Sequence, residues 1–273
     1  AIAFSPDSKL VAAGGKDSVV RIWNVESKKL VHKLNGHSKW VNGVAFAKDG
    51  KTLASVSTDQ SLRLWNVSTG AGSAVLLGHT KSVSSVAFYQ DQIFTVSGDG
   101  SVKRWRDEAA SDNWKIDAST YGIDFSADGR QMASASWLGK LRVWNAATGQ
   151  VVQEWAGHAA SANAAAFDAA GKRLVTVGND GKIQLWETAS AKELRTLETV
   201  SGVQLVSVGF TADGKQVFSA ANGERARLWN AETGDVMLEF PHVGGVHYVA
   251  LSPDGKLAAT GGSDGTVKVW QLS

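Results

Sequence analysis

The chain has 273 residues, of which 20% are charged, with a formal net charge of +2 and no cysteine. So small and scattered a charge gives no basis for binding nucleic acid or an acidic membrane, and no stretch approaches the roughly 18 consecutive apolar residues that would span a bilayer. Without cysteine there is neither a disulfide framework nor a thiolate metal site, and thiol usage does not mark a compartment.

From the N-terminus, an apolar run ends at Phe4, the turn string SPDSK follows, then the apolar run LVAAGG, then VVRIWN around Trp23, and then a weaker run, KLVHKLNG. This order is written seven times. The first run of each unit ends at residues 4, 46, 88, 125, 167, 210 and 251, and the third carries Trp23, Trp65, Trp105, Trp144, Trp186, Trp229 and Trp270, spaced 39 to 43 residues apart. The units cover roughly 1–35, 36–77, 78–116, 117–156, 157–199, 200–240 and 241–273. Period-two alternation in SLRLWN, KLRVWN and RARLWN predicts strands rather than helices. The strings AKDGK, SADGR, DAAGK, TADGK and SPDGK suit short hairpin loops whose glycine takes a positive φ. Four antiparallel strands per unit make the blade of a β-propeller, so the sequence predicts an all-β, seven-bladed propeller, 1–273 forming a single domain.

The chain begins inside the first strand of its first blade and stops three residues after Trp270. The last blade is therefore expected to lack its outer strand, giving 27 of 28 strands and an open edge available to a strand-pairing partner. With no initiator Met, the chain reads as part of a longer, multidomain polypeptide.

A polar pattern rides on the same spacing. Six residues before the tryptophan stands Asp17, Asp59, Asp99, Asp180 or Asp264, in five of seven units. Four residues earlier comes Ser55, Thr95, Ser134, Thr176, Ser219 or Thr260, with Ala13 the exception. Nine residues before the end of the first run lies His37, His79, His158 or His242, the first three preceded by glycine. On these residues the whole chain resembles the WD-repeat propeller family, with Asn in place of the usual final Asp at Trp23-Asn24, Trp65-Asn66, Trp144-Asn145 and Trp229-Asn230. The resemblance implies four buried hydrogen-bonded networks: His37/Ser55/Asp59/Trp65, His79/Thr95/Asp99/Trp105, His158/Thr176/Asp180/Trp186 and His242/Thr260/Asp264/Trp270. Such networks are architecture and not catalytic chemistry. Unit 4 has Ile116 and Leu138 at the His and Asp positions, so apolar groups replace both polar partners there; unit 6 has Ser201 and Gly223. The SPDGK-type turns and the scarcity of proline give the chain a bacterial flavour within the family, and with no targeting segment in view it is read as cytoplasmic.

Candidate chemistry is thin. The remaining histidines, His32 and His247, stand in no metal-ligand or paired-carboxylate spacing, and no catalytic residue, metal or cofactor is expected. Gly98-Asp99-Gly100 and Gly262-Ser263-Asp264-Gly265 sit in hairpin turns with no helix N-terminus to hold a phosphate. Asn66-Val67-Ser68 matches a glycosylation triplet and is assigned no role. Function then falls to the surface. In the WD-repeat family the partner-binding face is lined by the residue before the Asp and by residues three and five after the His. These positions map here to Lys16, Trp40, Asn42, Thr58, Ser82, Ser84, Ser119, Tyr121, Trp137, Ser161, Asn163, Asn179, Gln204, Asn222, His247 and Ser263. Among them Trp40 is the favoured partner anchor. Tyr121 and Trp137 are read either as a second anchor or as an apolar plug folded onto Ile116 and Leu138. Trp114 and Trp155, in fourth strands, are read as packing or rim residues. The resulting reading is a non-catalytic protein- or peptide-binding scaffold or sensor. The alternative, an enzyme or ligand-binding domain using an axial channel, is disfavoured because the mapped positions hold no Asp, Glu or Cys and one histidine.

Overall fold

The computed structural model describes residues 1–106, 109–116, 119–198 and 202–272. Its described residues form seven antiparallel sheets, each with its strands paired in sequence order, and contain no helix. The fold is a seven-bladed β-propeller in which six blades have four strands and the seventh has three. Blade 1 consists of Ile2–Phe4, Leu10–Gly14, Val20–Asn24 and Leu30–Leu34; blade 2 of Val41–Phe46, Thr52–Ser57, Ser61–Asn66 and Gly72–Leu77; blade 3 of Val83–Tyr89, Gln92–Ser97, Ser101–Arg106 and Ala109–Lys115. Blade 4 consists of Thr120–Phe125, Gln131–Ser136, Lys140–Asn145 and Val151–Ala156; blade 5 of Ala162–Phe167, Arg173–Gly178, Lys182–Glu187 and Lys192–Glu198. Blade 6 has Leu205–Phe210, Gln216–Ala221, Ala226–Asn230 and Val236–Phe240, and blade 7 has Val246–Leu251, Leu257–Gly262 and Val267–Gln271. The chain divides into two compact units, one of residues 1–120, 252–259 and 269–273, the other of 121–251 and 260–268.

Burial explains the sequence pattern strand by strand. Second strands such as Leu53–Ser57 are buried on both faces and read as continuous small or apolar runs, whereas fourth strands such as Gly72–Leu77 are mostly exposed and read weakly. Within each unit, core lies between successive blades. In the first unit Val20 and Ile22 of blade 1 meet Val44, Leu53 and Trp65 of blade 2; in the second, Val175 and Leu185 of blade 5 meet Leu205, Val217 and Trp229 of blade 6. The hairpins joining first to second strands put Gly50, Gly129, Gly171, Gly214 and Gly255 at φ between +63° and +71°, with Ser8 taking the same conformation at +60°. Where Asn replaces the Asp of the family dipeptide, its carboxamide oxygen does the same work: Asn145 Oδ1 accepts from Ala147 N (3.0 Å) and Thr148 N (3.1 Å), closing the turn to the fourth strand. Asn66 Oδ1 is likewise committed to Ser68 and Thr69.

Inside blades 2, 3 and 5 a chain of hydrogen bonds joins the four recurring polar positions. In blade 2 the Trp65 indole N–H donates to Ser55 Oγ (2.8 Å), Ser55 Oγ lies 2.7 Å from His37 Nε2, and His37 Nδ1 lies 2.9 Å from Asp59. Blade 3 repeats this through Trp105, Thr95, His79 and Asp99 at 2.8, 2.8 and 2.9 Å, and blade 5 through Trp186, Thr176, His158 and Asp180 at 2.9 Å throughout. In blade 7 His242 lies 2.7 Å from Thr260 and 3.1 Å from Asp264, with its side chain fully enclosed; Trp270 is half-buried in the third strand. The glycine before the histidine has a packing reason, since a methyl group at Gly36 would meet Arg63 at 2.7 Å and the Trp65 ring at 3.0 Å.

Burial lowers the pKa of His37, His79 and His158, against the upward pull of their Asp partners, so the rings are neutral near pH 7. Burial also disfavours the charged form of Asp59, but the Ser61 hydroxyl, the amides of Ser38 and Ser61, and His37 outweigh it and hold the carboxylate far below its usual range. Blades 4 and 6 retain only the tryptophan end of the chain, Trp144 to Ser134 and Trp229 to Ser219, each 2.8 Å. The Ser201 position of blade 6 lies outside the described residues. In blade 1 Asp17 turns instead to Arg21, 2.7 Å away.

A polar contact of another kind joins blades 4 and 5. Asp124 stands where the other blades have Ala3, Ala45, Ala87, Ala166, Gly209 and Ala250. Half-buried, it accepts the backbone N–H of Phe167 at 2.8 Å. Burial pushes its carboxyl up to about 6, with the Phe167 and Phe125 amides pulling the other way.

Two predictions come from these contacts. Thr176→Val strands both the Trp186 N–H and His158 Nε2, whereas Ser134→Ala strands only the Trp144 N–H; at about 1–3 kcal/mol per orphaned buried group, chemical denaturation should show the first costing roughly twice the second. Equal costs would contradict the chain of bonds. For Asp124 the folded pKa lies above the unfolded one, so its contribution to stability is fully present below the ordinary carboxylate range and is lost as pH rises through about 6. Asp124→Asn keeps an oxygen for Phe167 and removes the titration. Between about pH 4 and pH 8 the stability of the variant should therefore gain on the parent, by about 3 kcal/mol at most. A difference independent of pH would refute this assignment.

Candidate functional site

The surface positions singled out by the repeat spacing separate into groups with different fates. Asn42 and Asn163 do not present free amides. Both sit at the same irregularity in a first strand, where the register against the second strand skips one residue, and a bulge of this kind re-aims the side chain. Asn42 Nδ2 donates to Val83 O (2.8 Å) in blade 3, and also lies 3.1 Å from Thr58 Oγ1 and 3.0 Å from Ser82 Oγ. Asn163 Nδ2 donates to Leu205 O (2.6 Å) in blade 6 and to Asn179 Oδ1 (2.7 Å). These asparagines latch successive blades, with Thr58, Ser82 and Asn179 as auxiliaries. Asn222 and Gln204 lie 3.4 Å apart on the surface, Gln204 exposed. His247 Nε2 lies 2.8 Å from Ser263 Oγ. Ser84 and Ser119 are half-buried and Ser161 is buried.

Three aromatic positions remain. Trp40 is 53% exposed, and Lys16 Nζ lies 4.9 Å from its ring centroid, a cation–π contact. Its backbone is fixed by the Thr58 N–H, which donates to Trp40 O at 2.9 Å. The main chain that presents the indole is thus already ordered before any partner arrives, which lowers the entropy cost of docking there. Tyr121 and Trp137 pack edge to face with centroids 6.3 Å apart. The plug reading fails for this pair as it was drawn. Ile116 is buried, but Trp137 and Leu138 are 57% and 59% exposed. The turn explains why: Gly139 at φ +72° donates to Ser136 O, and a methyl group there would meet His158 O at 2.2 Å, so the backbone lies inward and both side chains are turned out. Leu138 therefore does not occupy the place of a buried Asp.

The other tryptophans pack. Trp114 lies 5.8 Å from the Phe94 ring with Arg104 over its face, and Trp155 meets Trp186 edge to face at 5.7 Å. His32, half-buried in the fourth strand of blade 1, lies against the Gly70 turn. Among the described residues no group of three His, Cys, Asp or Glu side chains is placed to hold a metal ion.

Two features of the structure were not among the positions mapped from the repeat. Lys39 and Lys81, both exposed, occupy the same step, two residues after His37 and His79. The repeated His-Ser-Lys and His-Thr-Lys strings were the available signal. Asp124, one charge in a column of Ala and Gly, was the other.

The sequence pattern described as "WD domain, G-beta repeat" matches residues 1–24, 28–66, 72–106, 116–145, 149–187 and 235–271. The longest unmatched stretch, 188–234, includes the first three strands of blade 6, which like blade 4 has no His–Asp pair. Over 274 aligned residues the chain is 26% identical to autophagy-related protein 16 of Arabidopsis thaliana, covering all of this chain and 39% of that protein. It is 36% identical over 69 residues to retinoblastoma-binding-like protein E of Dictyostelium discoideum, covering 25% of this chain and 13% of that protein. The chain thus spans well under half the length of either relative. Both are eukaryotic, and the bacterial affinity suggested by the turn strings finds no support in them. With six repeats matched over more than half its length, the chain belongs to the WD-domain, G-beta repeat family.

Proposed function

We propose that the chain is a non-catalytic docking module for a protein or peptide, working within a longer polypeptide, and that Trp40 anchors the partner. The observation that carries this reading is the exposed indole of Trp40 on a main chain held by the Thr58 N–H. An aromatic ring left in water on a rigid loop contributes nothing to the core and supplies the large contact area that interface anchors use. Two further facts support it. WD-repeat propellers commonly serve as interaction scaffolds, and the groups that most resemble acid–base machinery, His37, His79, His158 and His242, have both ring nitrogens engaged inside their own blades. Trp137, with Tyr121 at its edge, is offered as a second anchor on the other compact unit.

The test uses a displayed library of random 12-residue peptides selected on the unaltered protein. Trp40→Ala should keep unfolding stability within about 0.5 kcal/mol, as surface substitutions do, and should weaken the selected peptides by about 2 kcal/mol or more, roughly 30-fold. A Trp40→Ala protein that melts many degrees lower, or that binds the same peptides as the parent, would remove Trp40 from the site.

A further inference from the structure

The surroundings of Trp40 carry a charge bias that bears on the kind of partner. Lys16 covers one part of the indole. Lys39 is the residue immediately before Trp40, and Lys81 holds the equivalent place in blade 3, whose loop is joined to that of blade 2 through Asn42 and Ser82. All three lysines are exposed, and among the described residues none has a carboxylate within ion-pair distance. The loops that carry Lys39 and Lys81 are anchored to their blades. The buried Ser57 hydroxyl donates to Lys39 O (3.0 Å) and the buried Ser97 hydroxyl to Lys81 O (3.2 Å). The neighbouring amides of Ser38 and Thr80 are tied to Asp59 and Asp99.

The nearby acidic groups are already committed. Asp17 is bridged to Arg21. Asp59 takes bonds from His37, from the Ser38 and Ser61 amides and from the Ser61 hydroxyl; Asp99 takes the same set from His79, Thr80 and Ser101. Behind them, Arg63 and Lys103 bring further positive charge close to His37 and His79. The bias is local, since the loop positions equivalent to Lys39 and Lys81 in blades 5 and 7 are Ala160 and Gly244.

We infer that the Trp40 surface docks an acidic peptide segment of a protein partner, with one apolar or aromatic side chain laid on the indole and Asp or Glu residues facing Lys16, Lys39 and Lys81. This deepens the docking reading above and rests on it. Charge complementarity selects the partner class: an ammonium group at the indole and two more on the adjoining loops, without carboxylate partners, attract carboxylates and repel a basic segment. Isolated lysines act as point charges, suited to carboxylates placed along a flexible chain and needing no bidentate geometry.

The same peptide selection tests the inference by sequence, followed by titration of one selected peptide and its variants. Selected peptides should be enriched in Asp and Glu around an apolar residue. Replacing the acids of one such peptide by Asn and Gln should weaken it at least 30-fold, raising salt from about 50 to 300 mM should weaken the parent peptide several-fold, and a Lys16→Glu, Lys39→Glu, Lys81→Glu protein with unchanged melting should lose it at least 100-fold while gaining a Lys-rich counterpart. Peptides that depend on Trp40 but show no acidic enrichment would overturn the inference and leave the docking reading intact. Absence of any Trp40-dependent peptide would sink both. Binding to vesicles of anionic phospholipid without acidic-peptide enrichment would overturn it in favour of a membrane surface.

Discussion

The rest of the structure depends on one directed chain of hydrogen bonds. An indole N–H can only donate, a carboxylate can only accept, and a hydroxyl and a neutral imidazole each do one of either on the relevant side. Once Trp65 stands at one end and Asp59 at the other, the order Trp to Ser55 to His37 to Asp59 is forced, and so is the tautomer, with the proton on His37 Nδ1. The far end is where structure meets surface. Asp59 also takes the Ser38 amide, so the chain that starts under the third strand finishes by clamping the loop that presents Lys39 and Trp40. Thr80 and Ala159 repeat the clamp in blades 3 and 5.

The blades without a full chain show how much of it is dispensable. Blades 4 and 6 keep the serine under the repeat tryptophan, so the Trp144 and Trp229 indole donors keep their partners, and lose the His and the Asp together. That combination avoids the one costly outcome, a buried histidine or carboxylate without its mate. Blade 1 keeps Asp17 without a described histidine and neutralises it at the surface with Arg21. A propeller tolerates this variety because each blade packs only on its neighbours, so a local loss need not spread.

Much of this was legible in the sequence because the determinants are local and repeated. The strand order, the positive-φ residues of the hairpins and the partners of His37, His79 and His158 all lie within about one repeat of one another, at offsets that recur. Contacts that cross to the next blade were not legible. Asn42 and Asn163 looked like face residues, and only the skipped register in their strands shows that their amides turn to Val83 O and Leu205 O, about 42 residues away. Asp124 stood out as a charge among alanines, yet its partner is a backbone amide with no sequence signature. Spacing puts Leu138 at the Asp position as an apolar replacement, whereas the Gly139 turn sends it to solvent. The basic surround of Trp40 was missed because Lys39 and Lys81 fall between the positions that the repeat marks.

On the reading proposed above, the histidine chains of blades 2, 3 and 5 serve to hold the blades, and docking falls to the surface they position. Nitrogen-15 NMR of the imidazole rings between pH 5 and 8 tests it most directly. His37, His79 and His158 should each appear as a neutral ring protonated on Nδ1, with no titration midpoint near 6.5, since burial disfavours the charged form. Rings protonated on Nε2, or titrating with ordinary midpoints in this range, would contradict the account and return these histidines to consideration as reactive groups.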